Sequence, residues 1–140
     1  MATAPQFVTT PNKGTPGSLT AANTALDGTG ATGRLLLFTA GSSGSILPAV
    51  RAMHLGTNVA TLIRVFRNNG SDPAVAGNNT LVAEKAIASN TVSHTAESIP
   101  YDIPLNMTLA GGANPERIYV TLATAVAAGI QITPINGGDF

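Results

Sequence analysis

Tyr101–Leu109 alternates without a break: Tyr101, Ile103, Leu105, Met107 and Leu109 fall on one side, Asp102, Pro104, Asn106 and Thr108 on the other. A two-residue period puts successive side chains on opposite faces of an extended backbone, so this stretch reads as a half-buried strand. Pro104 has no N–H to give to a ladder and places that strand at a sheet edge. The same reading extends along the chain. Arg34–Ala40, Ser45–Leu55, Ala60–Asn68, Thr80–Ala88, Arg117–Thr124 and Gly129–Ile135 are short runs rich in Val, Ile, Leu, Phe and Thr, separated by joints of Gly, Asn, Ser and Pro. No long window keeps a helical period. Short strands repeating at roughly ten-residue spacing predict an all-β chain, and two alternating faces favour a two-sheet antiparallel, jelly-roll-like sandwich over a closed barrel.

Within that class the local expectations are specific. Arg34–Asn69 should form a central antiparallel meander, reversing at Gly41–Gly44 and Gly56–Asn58. The largely apolar Arg34–Ala40 suits a strand covered on both faces. Pro48 marks either an edge position or a bulge. Arg117–Thr124 should pair with Gly129–Ile135 across Ala125–Ala128. Leu62, Phe66, Ile103, Leu105, Ile118, Val120 and Ile132 are the expected core. Arg64 shares the face of Leu62 and Phe66, so its charged head should reach a rim or an interface.

Residues 1–18 differ in character. Pro5, Pro11 and Pro16 exclude a helix or central strand, and Phe7 and Val8 are the strong apolar anchors. The expected organisation is an extended N-terminal arm over residues 1–18 and a β-sandwich over 19–140. Such an arm should add to a neighbouring subunit with Phe7 as its peg, be mobile in the free protein, and contribute little to the sandwich's own stability; a plain disordered terminus is the alternative. Phe7, Val8, Pro11 and Arg64 are therefore the candidate protein-interaction residues.

Charge bears on partners. Seven basic residues balance seven acidic ones, and charged residues make up only 10% of the chain. A neutral surface lacks the basic footprint of a nucleic-acid binder or a polybasic membrane contact, and it lacks the net charge that keeps copies apart. The apolar runs are too short to span a bilayer, and the N-terminus does not read as a secretory leader. Cysteine is absent, which removes disulfides, thiolate nucleophiles and Cys-based metal sites.

Little catalytic chemistry is on offer, and no enzyme activity is expected. The Gly-rich Asp27–Gly33 precedes a strand rather than following one, unlike a phosphate-binding loop. His54 and His94 stand apart, with Glu84, Glu97 and Asp102 as possible co-ligands, and scattered histidines of this kind read as ordinary structural residues. Glu84 and Glu97 as paired acids would want aromatic sugar platforms, and the chain has no Trp and 2 Tyr. Asp27 and Asp72 offer at most a weak calcium contact. No cofactor or metal is expected.

The segments LTAANTALDGTG, LGTNVATLIRVFRNNG and IYVTLATAVAAGIQITPINGGDF resemble structural proteins of tailed-phage virion modules, similar in type to capsid decoration (cement) proteins with jelly-roll folds. That resemblance covers most of residues 19–140. It implies a location on the virion surface, synthesis in the host cytoplasm, symmetric oligomers such as a homotrimer, and the major capsid protein as partner. A receptor- or glycan-binding module of a tail or fibre is the alternative.

Overall fold

The structure, a computed structural model, describes residues 7–140. Ten strands account for its regular structure: β1 (Thr10–Pro11), β2 (Gly17–Leu19), β3 (Arg34–Thr39), β4 (Ser45–His54), β5 (Thr61–Asn68), β6 (Asn79–Ile87), β7 (Tyr101–Leu109), β8 (Arg117–Leu122), β9 (Ile130–Ile135) and β10 (Gly138–Asp139). One 3-10 turn, Ala76–Asn78, precedes β6. The alternation of 101–109 is realised in β7: Ile103 and Leu109 are buried, Tyr101, Leu105 and Met107 pack against the core, and the intervening residues are exposed. Its ladder is with β4 alone, so Pro104 lies in an edge strand as expected.

The ladders are all antiparallel and build two layers. In one, β2, β9, β4 and β7 lie side by side, with β10 continuing β9 along β4 and β1 outside β10. In the other the order is β3, β8, β5, β6. This is the strand order of a jelly roll, a sandwich in which most connections step between sheets. Leu37, Phe38, Leu47, Val50, Ile63, Val65, Ile118, Leu122 and Ile130 fill the space between the layers. The chain is all-β, as its periodicity predicts.

The pairing departs from the expected meander. β3 pairs with β8, β4 with β7 and β9, and β5 with β6 and β8, so the three central runs are not neighbours. Nor do β8 and β9 pair; they lie in opposite layers. The Gly-containing joints do reverse the chain, but each also carries it across to the other sheet. β5 and β6, joined over 69–78, are the consecutive strands that do form a hairpin. β3 is an edge strand with Leu36 exposed rather than covered on both faces; a bulge between Leu36 and Phe38 turns Leu37 and Phe38 together into the core. Pro48 sits at another bulge, in a strand flanked on both sides.

Of the expected core, Ile103, Ile118, Val120 and Ile132 are buried and Leu105 packs against them. Leu62 is only half-buried. On β5 it is Ile63 and Val65 that face the sandwich interior, while Leu62, Arg64 and Phe66 project from its outer side. Phe66 is nevertheless 1% exposed. The loop between β2 and β3 folds over it, and Gly28 (φ +77) lies so close that a β-carbon there would be 3.0 Å from the ring. Arg34 fastens this loop, donating from Nη1 to the carbonyls of Gly28 and Thr29 at 3.2 and 3.1 Å, with its guanidinium over the Tyr119 ring.

At the far end, Glu116 ties together the loops 40–44 and 110–116. Arg67 donates to it through Nε and Nη2 at 2.9 and 2.5 Å, the Ala110 N–H donates to Oε2 at 2.7 Å, and its backbone bonds Ala40 and Ala110. Burial pulls the Glu116 carboxyl upward, but the Arg67 and Ala110 hydrogen bonds and the Arg67 charge outweigh it and hold it below its ordinary 4.5. A depressed carboxyl stabilises the fold above its unfolded value and loses that contribution as pH falls through the folded one. Glu116→Gln is therefore expected to cost about 1–2 kcal/mol at neutral pH, with the difference from the natural protein closing in acid as pH falls through the lowered folded value. Urea melts at pH 7 and pH 3 check this; an equal gap at both values would refute it.

The N-terminal segment departs most from expectation. Residues 1–6 of the expected arm, Pro5 among them, lie outside the described residues. From Thr9 onward the arm is extended but bound to its own chain. Thr9 N–H donates to Asp139 O, Thr10 and Pro11 pair with Asp139 and Gly138, Asn12 N–H donates to Gly137 O and Thr15 N–H to Leu37 O. β2 then pairs with Gln131 and its flanking residues, spanning the expected boundary at residue 18. The arm completes the outer edges of β10 and β9, and attachment through the same chain makes that pairing intramolecular. Gly14 (φ +59) makes the close passage possible: a β-carbon there would come 2.5 Å from Leu37 O and 2.7 Å from the Pro134 ring.

Candidate interaction surface

Phe7 and Val8 immediately precede this anchored segment. Val8 packs on β10, where any β-carbon at Gly138 would overlap its side chain. It remains 50% exposed, and Phe7 is 75% exposed. Pro11, exposed in β1, forms one wall of an adjoining groove. This groove, a cavity of about 300 Å³, runs between the arm and the β9–β10 turn and is lined by Pro11, Lys13, Pro16, Pro134 and Asn136 among others.

The groove's walls are rigid for identifiable reasons. Asn12 donates from Nδ2 to Asp139 Oδ1 at 2.7 Å and to Thr39 O at 3.1 Å, while its Oδ1 accepts the Gly14 N–H at 2.9 Å. Ser45 Oγ donates to the same Asp139 oxygen at 2.5 Å and accepts the Gly41 N–H. One carboxylate thus joins the arm to the start of β4. Asn136 adopts φ +56 at the opposite wall, the turn conformation that an Asn-Gly pair favours.

Arg64 does not join this surface. It is 9% exposed on the outer face of β5, and its Nε donates to Glu84 Oε2 at 3.0 Å on the neighbouring strand. Its head ends in an ion pair on the sheet face. Pro11 borders the groove, Val8 lies on Gly138, and Phe7 stands further along the arm, while Arg64 lies apart on the other layer.

The polar residues weighed for chemistry are engaged in structure. His54 is buried; its Nε2 donates to Ala88 O at 3.1 Å and its Nδ1 accepts from Asn58 Nδ2 at 3.1 Å, which assigns the Nε2–H tautomer. Asn58 also donates to Gly129 O and accepts the Ala128 N–H, pinning three loops at one end of the sandwich. His94 is exposed in the 88–100 segment. Asp102 receives Arg51 through two hydrogen bonds at 2.7 and 2.9 Å. Asp27 and Asp72 accept backbone N–H groups two residues on, closing turns, and the Thr29 hydrogen bonds hold the exposed Asp27 carboxyl below its ordinary range. Among the described residues, no three His, Asp or Glu side chains converge as a metal site.

No family model matches the chain, and no curated protein matches it. Among solved structures it is similar to a chain in the structure of the infectious bursal disease virus Gt strain, with 12% sequence identity and a TM-score of 0.29. The alignment takes in 97% of this chain but 37% of that one, so this chain spans little more than a third of its length. A likeness that distant fixes neither a shared role nor a shared partner.

The sequence singles out Phe7, Val8 and Pro11 but misses the groove beside them. Asn136-Gly137 announces a turn, and Pro134 and Pro16 are visible as prolines. That all of them border one cavity follows from β1 pairing with β10, a contact between opposite ends of the chain.

Proposed function

We propose that this chain is a structural protein of a phage virion, of the capsid decoration type. It binds the outside of the assembled head, meets the major capsid protein, and stabilises contacts between shell subunits as a symmetric trimer. It has no catalytic turnover and needs neither nucleic acid nor membrane. The observation that carries this reading is the rigid jelly roll without net charge that holds Phe7 and Val8 exposed on an anchored edge segment. Such a module gains affinity by presenting several copies at once: closed rotational symmetry multiplies modest contacts into avidity. A reading as a receptor- or glycan-binding fibre module lacks a comparable feature, since the 69–78 and 88–100 loops carry no Phe, Tyr or Trp.

Immunogold labelling of virions with antibody to this chain tests the location, with label expected on heads. Label confined to tails or fibres would replace decoration with the receptor-binding alternative. Light scattering of the purified protein at micromolar concentration is expected to return three times the 14.1 kDa chain mass; a monomer would refute the trimer.

A further inference from the structure

The geometry points to the occupant of the proline groove: Phe7 of a second copy of this chain. The inference rests on the self-associating reading above and goes further by naming the peg and its socket. Phe7 is an apolar side chain left 75% exposed, and the groove is an apolar-walled recess built from Pro11, Pro16 and Pro134. Proline rings offer flat, rigid faces on which an aromatic ring stacks without ordering any flexible side chain, so the entropy cost of filling the recess is small.

Phe7 is prevented from filling the groove of its own chain. The register from Thr9 to Asn12 along Asp139–Gly137 directs the arm away, and extended backbone advances about 3.3 Å per residue, so Phe7 stands roughly 13 Å along it from Pro11. Folding back would break the Thr9–Asp139 bond and the β1 ladder. Peg and socket are therefore different patches on one rim of the same molecule. A contact between different patches is heterologous, and repeated head to tail it gives a ring where the rotation between copies closes and an open filament where it does not. The proposed trimer is such a ring. Lys13 is the one charged side chain lining the groove, so an uncharged ring enters it without burying a carboxylate there.

The absence of cysteine makes a direct test clean. Phe7→Cys and Pro16→Cys are made as separate proteins, mixed, and mildly oxidised. A disulfide-linked pair containing one of each is expected to form at least about tenfold faster than with a control, Thr95→Cys, on the exposed 88–100 segment. Phe7→Asp is expected to weaken self-association at least about tenfold while leaving the melting temperature unchanged at concentrations where the chains are dissociated. If the protein is an oligomer yet the Phe7–Pro16 pair cross-links no faster than the control, this inference falls and the trimer stands through another surface. A monomer at all concentrations sinks both. Cross-linking of Pro16→Cys to a shell protein but not to Phe7→Cys would assign the groove to the shell and refute the self-contact.

Discussion

Phe66→Ala is expected to destabilise the protein by about 3–5 kcal/mol, as large aromatic truncations at buried sites do. The ring is buried, but not between the two sheets: it lies on the outer face of β5 beneath Gly28 and its loop. Truncation leaves a cavity roofed by that loop. The loop cannot settle freely into it, because Arg34 holds the carbonyls of Gly28 and Thr29 and Asn79 Nδ2 donates to the Asp27 carbonyl at 3.3 Å. The location predicts a second effect that an interior phenylalanine would not produce. Backbone amides of residues 23–30 should lose hydrogen-exchange protection in Phe66→Ala well before the strands do. Phe38→Ala, which opens the interior, should instead lower protection across both layers. A loss below about 1 kcal/mol for Phe66→Ala would mean that the loop refills the space and that the site is not close-packed.

Deleting residues 2–18 should lower the melting temperature markedly, against the expectation from sequence that the arm is dispensable to the sandwich. The deletion removes β1, most of β2, and the Asn12 side chain that links Asp139 to Thr39. It uncovers Phe38 and Pro134, on which Gly14 lies, and leaves the outer edges of β9 and β10 without partners. With several backbone hydrogen bonds at about 0.5–1.5 kcal/mol each, a loss of about 3–5 kcal/mol follows. For a chain of this length that is a fall of roughly 10–20 °C. Phe7→Ser, by contrast, should shift the stability of the dissociated chain by less than about 0.5 kcal/mol, because within its own chain the side chain is exposed. Thermal melts of the two variants separate the anchored part of the arm from its exposed tip. An unchanged melting temperature for the deletion would return residues 9–18 to a loosely attached tail.

The individual strands were legible because each rests on a two-residue period that needs no partner to be read. β7 is the clearest instance: its inward and outward residues, and Pro104 on its open edge, follow from Tyr101–Leu109 alone. The separation of Leu62, Arg64 and Phe66 from Ile63 and Val65 was legible for the same reason. Which of those two faces met the interior was not. Periodicity divides a strand into sides without saying what covers either, and here the outer side is covered by a loop some forty residues away in sequence.

Of the candidate interaction surface, Phe7, Val8 and Pro11 stood out as apolar or rigid residues in a polar segment, whereas Arg64 was carried into the set by its position on a strand face and then satisfied by Glu84. The groove depended on a contact spanning nearly the whole chain. Sequence by itself determined an all-β chain, the place of nearly every long strand, the turn residues between them and a neutral surface, because all of these are set by neighbours within a few residues. Tertiary structure alone decided that the joints cross between sheets, that β3, β4 and β5 find partners elsewhere, and that the arm closes on β9 and β10. A Gly-Asn turn reverses a chain equally well within a sheet or between two, and only the burial of both apolar faces in one interior selects between them.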